Sequence, residues 1–313
     1  MPKSKRRVLG IAVILVFTAL FGFVVYQPSM IKRVPYPAPE PAYHSWEDIL
    51  SNPQPITIRT YVAGVNQTTL SAIMNLKHER AQGIEDKVID IPINVGVVQH
   101  QQHGVYLIDA GLDASYEHNP YGTNKGMMVE GYLAKGSLEP NTHIAAVLEK
   151  ENIQLQGVWL THLHMDHTAG IVDLPKDIPY VVGENERYAN FRFFMQNDHL
   201  AGIDALYEID FSEGIDLSPL GKAVDLFGDG SLWAISSSGH SAGHVMYFIN
   251  GIEDSVLYTG DACNDYTQFE TGIGPGFYSS DLEGGQQVLE QIIAFKEQYP
   301  DVTLVFGHDL KTH

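Results

Sequence analysis

"THLHMDHTAG", residues 161–170, follows the apolar run "GVWL" and places His162, His164, Asp166 and His167 within a few positions of a strand end. Ionisable side chains are costly there unless something satisfies them. Either water solvates the group or a cation holds it. The same layout recurs along the chain. Short apolar runs end in polar clusters at "LIDAG" (107–111), "AISSSGHSAGH" (234–244), "LYTGDA" (257–262) and "LVFGHD" (304–309). Groups placed at the ends of several strands converge on one edge of a sheet, where open sheets commonly bind ligands. Imidazole and carboxylate together suit zinc and similar divalent ions. His240, Asp261 and His308 extend the set to five histidines and two aspartates. Seven donors suit two ions, roughly 3.5 Å apart around a bridging hydroxide, better than one.

"THLHMDH" is similar to the His-x-His-x-Asp-His motif of the metallo-β-lactamase superfamily. "LIDAG", "GHSAGH", "TGDA" and "FGHD" resemble the family's other motifs, in its order, over residues 56–313. The resemblance implies an α/β fold of the αββα type, two mixed β-sheets packed face to face with helices outside. It implies two divalent metal ions, usually Zn2+. His162, His164 and His240 would hold one, Asp166, His167 and His308 the other, and Asp261 would bridge them. Asp109 would support the ligand loop without touching metal, since a ligating imidazole needs its other nitrogen fixed. His244, four after His240, reads as a structural hydrogen-bonding residue.

The activity this implies is hydrolysis by a metal-bridging hydroxide, with Asp166 or Asp261 moving the proton. An acyl-homoserine lactonase-like branch shares "HLHMDH", "GHSAGH" and a late "FGHD" after a long helix. The β-lactamases carry Cys or Ser where this chain has Asp261, which argues against β-lactam cleavage. Lactonases of that branch place a tyrosine three residues after the bridging aspartate. Here that position is Asn264, so Tyr266 is the candidate for the contact to the substrate carbonyl. A small lactone or ester is therefore the expected substrate. The alternatives are a thioesterase or phosphodiesterase of the same fold, or a metal-binding protein without significant turnover.

The remainder of the chain sets the frame. With 38 Asp and Glu against 19 Lys and Arg, the net charge is −19. That argues against nucleic-acid binding, which needs a basic face. The lone cysteine, Cys263, excludes an internal disulfide and reads as a buried, inert thiol. Lys3, Lys5, Arg6 and Arg7 precede an uncharged run at residues 8–26. Nineteen such residues in a helix would span about 28 Å. The expectation is a membrane anchor over 1–27, single-pass in the inner membrane, with the catalytic body outside the cytoplasm. Cleavage as a signal, giving a secreted or periplasmic protein, is the alternative. The proline-rich stretch 28–45 reads as an extended linker, and 46–313 as the hydrolase domain. Within it, "NTHIAAVLEKENI" reads as a helix with Asn141 as N-cap, "ENERYANFRFFMQ" as a second and "GGQQVLEQIIAFKEQYP" as a third. Residues 113–137 read as a long loop. His100 and His103, in "VVQHQQHG", sit at a hairpin turn and read as solvated. The sequence leaves the oligomeric state open.

Overall fold

The chain forms two mixed sheets packed face to face, with helices on both outer surfaces. The computed structural model describes residues 11, 14–18, 20–22, 26–28, 31–187, 189–191 and 193–313. The larger sheet runs Lys32–Pro35, Ala205–Ile209, Tyr180–Gly183, Leu155–Trp159, Gly104–Ile108, Val88–His100, Ile56–Thr69, Lys135–Ser137. The first five of these strands pair in parallel and the rest antiparallel. The second sheet runs in chain order from Ile215–Leu217 through Gly221–Asp225, Leu232–Ser236, Val245–Asn250 and Ser255–Gly260 to Thr303–Phe306. Only its last pair is parallel.

Period-two alternation builds the layers. Ala234, Val245, Tyr247 and Tyr258 face the first sheet and pack with Val98, Ile108, Trp159 and Val181. The intervening Trp233, Ile235, Met246 and Phe248 point outward, against Val288, Leu289, Ile292 and Phe295 of helix Leu282–Gln298 and Trp46 and Ile49 of helix Trp46–Ser51. Behind the first sheet, Val95, Leu107, Val158 and Tyr180 bury Ile144 and Leu148 of helix Ile144–Glu151. Each such side chain contributes about 1.5–3 kcal/mol on full burial.

Several expectations change. Among the described residues no helix is long and apolar enough to cross a membrane. A spanning helix needs about 20 residues. Tyr26–Pro28 is instead a strand, paired antiparallel with Ala189–Phe191, so extended backbone takes over where the apolar run ends. This corrects the transmembrane helix over 8–26, and with it the single-pass inner-membrane placement. Hydropathy counts side chains and does not register strand pairing. Residues 1–10, 12, 13, 19 and 23–25 of that expectation lie outside the described residues. Lys32–Pro35, in the stretch read as linker, is an edge strand, and Tyr36 donates its hydroxyl to the Leu226 carbonyl.

Helix Ile144–Glu151 starts from His143, whereas Asn141 takes a left-handed φ of 61°. "ENERYANFRFFMQ" holds no helix among the described residues: a turn follows Tyr180–Gly183, then strand Ala189–Phe191. The long loop at 113–137 carries a short helix, Val129–Tyr132, and strand Lys135–Ser137. Leu282–Gln298 is the expected amphipathic helix, its first turn capped by the Asp281 carboxylate.

Candidate metal centre

Every residue of the sequence constellation except Tyr266 lies at one edge of the sandwich, past strand ends. Asp109 follows Gly104–Ile108, and His162 to His167 follow Leu155–Trp159. His240, Asp261 and His308 come from the second sheet, after Leu232–Ser236, Ser255–Gly260 and Thr303–Phe306. Two donor groups result: His162, His164, His240 and Asp261, and separately Asp166, His167 and His308.

For His162, His167, His240 and His308, hydrogen bonds on the far side of the ring decide which nitrogen faces inward. Thr161 Oγ1 lies 2.9 Å from Asp109 Oδ2 and gives its one proton to that carboxylate. It must therefore accept from His162 Nδ1, 3.0 Å away, which leaves the His162 Nε2 lone pair free. His167 Nδ1 donates to Asp109 Oδ2 at 2.8 Å, and His308 Nδ1 to the Pro92 carbonyl at 2.8 Å. His240 Nδ1 is held by Ser279 Oγ at 3.0 Å. The freed nitrogens converge. His240 Nε2 is 3.1 Å from His162 Nε2 and 2.8 Å from His164 Nδ1. With His162 Nε2 unprotonated, at most two of these three nitrogens can be bonded through one proton, whereas a cation between them would take a lone pair from each.

Asp261 lies between the two groups. Its Oδ2 is 3.3 Å from His240 Nε2, and its Oδ1 is 3.2 Å from His167 Nε2 and 3.3 Å from His308 Nε2. His167 Nε2 and Asp261 Oδ1 are buried without a well-formed hydrogen bond. Asp166 Oδ2 is 3.9 Å from His308 Nε2 and accepts from Asn66 Nδ2 at 3.3 Å. These orphaned inward atoms, and the imidazole and carboxylate chemistry of the set, fit two divalent cations.

The electrostatics agree. Burial, then crowding by His167, His164 and His240, holds His162 well below the ordinary histidine range. Burial does the same to His240 against the pull of Asp261. Burial would also lower His167 and His308, but Asp261 and its neighbouring carboxylates outweigh it and raise both. Burial opposes ionisation of Asp261 too, yet His308, His167 and His240 hold it well below the carboxylate range. His244 is structural, as its spacing suggested: its Nε2 accepts the Asp261 N–H at 3.1 Å while Nδ1 meets Ser237 Oγ at 2.8 Å. Burial first pushes it down to about 3, which keeps that acceptor free.

Tyr266 does not reach this edge. It begins helix Tyr266–Thr271, its ring stacks on His313 with centroids 4.3 Å apart, and its N–H donates to Asp309. A cavity of about 440 Å3 opens over the donors and is lined instead by Tyr278, Ile73, Ile91, Leu133 and Met165. Arg187 is the one cationic side chain among its described lining residues. Asn264, in the position where a tyrosine was sought, is buried and gives its amide hydrogens to the Ile73 carbonyl and Gln268. Sequence reasoning passed over Ser279, Asn66 and Glu186. Their signal is three-dimensional, because each comes from an element that carries no ligand.

Comparison with known proteins adds an independent finding. Residues 88–308 match the family described as the Metallo-beta-lactamase superfamily. A hydroxyacylglutathione hydrolase of Shewanella sp. (strain ANA-3) is 28% identical over 159 residues, 51% of this chain. The chain spans about half of that protein's length (50%). The N-acyl homoserine lactonase AttM of Agrobacterium fabrum is 24% identical over 242 residues, 76% of this chain and 88% of that protein. Among solved structures, an N-acyl homoserine lactone hydrolase with N-hexanoyl-L-homoserine bound at its catalytic metal centre superposes with a TM-score of 0.61. The identity there is 19%, over 83% of this chain and 94% of that one, so the likeness is one of fold.

Proposed function

The chain belongs to the metallo-β-lactamase superfamily, and from that premise we propose that it is a dinuclear, zinc-dependent hydrolase of a small lactone or ester. The observation that carries the reading is the inward convergence of His162 Nε2, His164 Nδ1 and His240 Nε2, with Asp261 turned one oxygen toward each donor group. In this reading His162, His164 and His240 hold one ion, Asp166, His167 and His308 the other, and Asp261 touches both. When bound, two such ions supply Lewis acidity that activates water near neutral pH and polarises an acyl carbonyl.

The chain's own residues do the rest. Asp109, Thr161, Ser279 and the Pro92 carbonyl fix the imidazole rings, so no reorganisation is needed when substrate arrives. Asp166, the most exposed carboxylate of the set, stands at the cavity wall, where it takes the proton released in hydrolysis and passes it to the leaving oxygen. Asn66 holds that carboxylate in place. Ile73, Ile91, Leu133 and Met165 form an apolar wall suited to an acyl chain.

The lactonase relative, matched over 88% of its own length, supports a lactone substrate. The hydroxyacylglutathione hydrolases support a thioester as the second reading. Turnover of a panel of lactones, esters, thioesters, β-lactams and phosphodiesters by the full chain, with and without added Zn2+, tests the proposal. Zinc-dependent lactone or ester hydrolysis is expected. A zinc-loaded protein that turns over only thioesters or phosphodiesters would overturn the substrate while leaving the centre in place.

A further inference from the structure

Glu186 lies in the turn after Tyr180–Gly183 and is buried, with 2% of its surface exposed. It ligates nothing, and its neighbour Arg187 sends its guanidinium to the Glu186 carbonyl oxygen and to Glu208 instead of to the Glu186 carboxylate. A buried carboxylate survives only where donors replace its water. Glu186 has three. Its Oε1 accepts the N–H of Leu163 at 3.0 Å. Its Oε2 accepts the Ser241 hydroxyl at 2.7 Å and the N–H of Gly243 at 3.0 Å.

Those donors lie on two different loops. Leu163 stands between His162 and His164, and Ser241 directly follows His240. One carboxylate therefore ties together the loops that carry all three histidines of the first donor group. The backbones are pressed close at the same place. A Cβ on Gly243 would lie 2.4 Å from the Glu184 carbonyl oxygen and 2.4 Å from Glu186 N, and one on Gly183 would lie 2.2 Å from the Gly243 carbonyl oxygen. The second donor group is fixed through Asp109 and the Pro92 carbonyl, with no contact to Glu186, although Asp109 also reaches His162 through Thr161.

Resting on the metal-centre reading above, we propose that Glu186 is a positioning residue that sets the affinity of the His162, His164, His240 group for its ion and leaves the Asp166, His167, His308 group unaffected. The two loops come from different sheets; the Val245 N–H also joins them by donating to the Thr161 carbonyl at 2.9 Å, and Glu186 is the side chain that ties the residues flanking His162, His164 and His240 to one another. Loss of the shared carboxylate lets them separate, and the three nitrogens then no longer meet.

The test uses the full chain and Co2+ as probe ion, with bound ion measured by elemental analysis and by visible absorption against increasing chelator. The wild type should hold two equivalents. Glu186→Gln should release one at about tenfold or more lower chelator, the range for residues that orient ligands, and keep the other. Placement is decided by pairing variants. With His308→Ala, which leaves only the first group, Glu186→Gln should weaken the remaining ion about tenfold. With His164→Ala, which leaves only the second, it should change affinity by less than about twofold. Ser241→Ala removes one donor and keeps the carboxylate, so it covers the case of a Glu186 variant that does not fold. It should shift the same ion by a smaller factor. Equal weakening of both ions, or of neither, overturns the proposal. A wild-type chain that takes up no Co2+ or Zn2+ sinks the metal-centre reading itself, and that result is visible before any variant is made.

Discussion

Two clusters in this molecule are built from the same side chains and hold their imidazoles in different ways. One is the seven-residue centre. The other, at the far end of the Val88–His100 strand, joins His100, His103 and Asp229 with donor atoms close enough to hold an ion. The difference lies in which ring nitrogen the backbone claims. In the centre, His162, His167, His240 and His308 each commit Nδ1 to a hydroxyl, carboxylate or carbonyl, and turn Nε2 inward. In the second cluster, His100 Nδ1 accepts the N–H groups of Gln102 and His103, both at 3.1 Å. Its proton must then sit on Nε2, which faces Asp229 Oδ2 at 3.2 Å without a well-formed hydrogen bond. A metal there would have to displace that proton and leave an imidazole with no N–H at all. His103 stacks on Phe227, 4.2 Å between centroids, and its Nε2 is 3.8 Å from the same carboxylate. The second cluster ties a hairpin to the Asp229 loop. Residue type and proximity alone do not tell the two clusters apart; the partner of the outer nitrogen does.

Removing an inward donor should have the largest effect. Asp261→Ala takes away the carboxylate that belongs to the first donor group and stands 3.2 and 3.3 Å from His167 and His308 of the second, and His164→Ala takes a nitrogen from one. Either should lower the bound-metal count and cut hydrolysis by on the order of a thousandfold or more, about 4 kcal/mol of barrier. Full activity in either variant would dissolve the assigned centre. Removing the ions instead of the donors tests the same region through stability. If free Zn2+ stands at about 1,000 times its Kd, chelation should cost about 4 kcal/mol, read as a lower urea midpoint. An unchanged midpoint would mean that the inward atoms gain nothing from a cation.

A subtler change acts on the outer nitrogens. Asp109 is fully buried, has a left-handed φ of 64°, and accepts from both Thr161 and His167. Asp109→Asn keeps its shape but offers an amide hydrogen where an acceptor is needed. Metal affinity should fall about 10–100-fold. Titration with a chelator reads this directly, and unchanged affinity would deny the outer partner the importance claimed for it.

The motifs at 107–111, 161–167, 240–244, 261 and 304–309 were legible because each is local, with an apolar strand and its polar end contiguous in the chain. The sandwich was implied by the family resemblance that these motifs carry. What escaped depends on distant partners. Glu186 lay in a stretch that reads as a helix by composition but ends a strand and turns back toward the His240 loop. His100 read as solvated because hairpin turns usually are, and only the Phe227 and Asp229 loop buries it. The apolar run 8–26 read as a membrane span by hydropathy, whereas Tyr26–Pro28 pairs with Ala189–Phe191. Spacing from Asp261 alone points to Tyr266, but the helix that begins there turns it toward His313. Tyr266→Phe should therefore leave turnover within about twofold, and a tenfold loss in kcat would return it to the site.

The smallest expected effect belongs to the second cluster. His100→Asn preserves an acceptor near the position of Nδ1 and removes the rest of the ring. Bound metal should stay at the wild-type count, since a proton already occupies the inward nitrogen of His100. The stability cost should be about 1 kcal/mol, from lost packing and the lost contact to Asp229. Its dependence on pH carries the sharper test. Burial, only partly offset by Asp229, lowers the pKa of His100 in the folded chain. The unfolded chain protonates this histidine near its usual value of about 6.5. Below that pH the unfolded state thus binds a proton that the folded state does not, and wild-type stability falls as pH drops. Above it, the group adds no pH dependence. Between pH 6.5 and the lowered folded value, the wild type should lose up to about 1.4 kcal/mol per pH unit more than His100→Asn. Urea midpoints of both proteins at pH 7 and at pH 5.5 measure that difference. Parallel pH profiles would show that His100 is not held neutral. A lower metal count in the variant would show that the cluster holds an ion after all, and that the claim of the backbone on Nδ1 does not decide between the two regions.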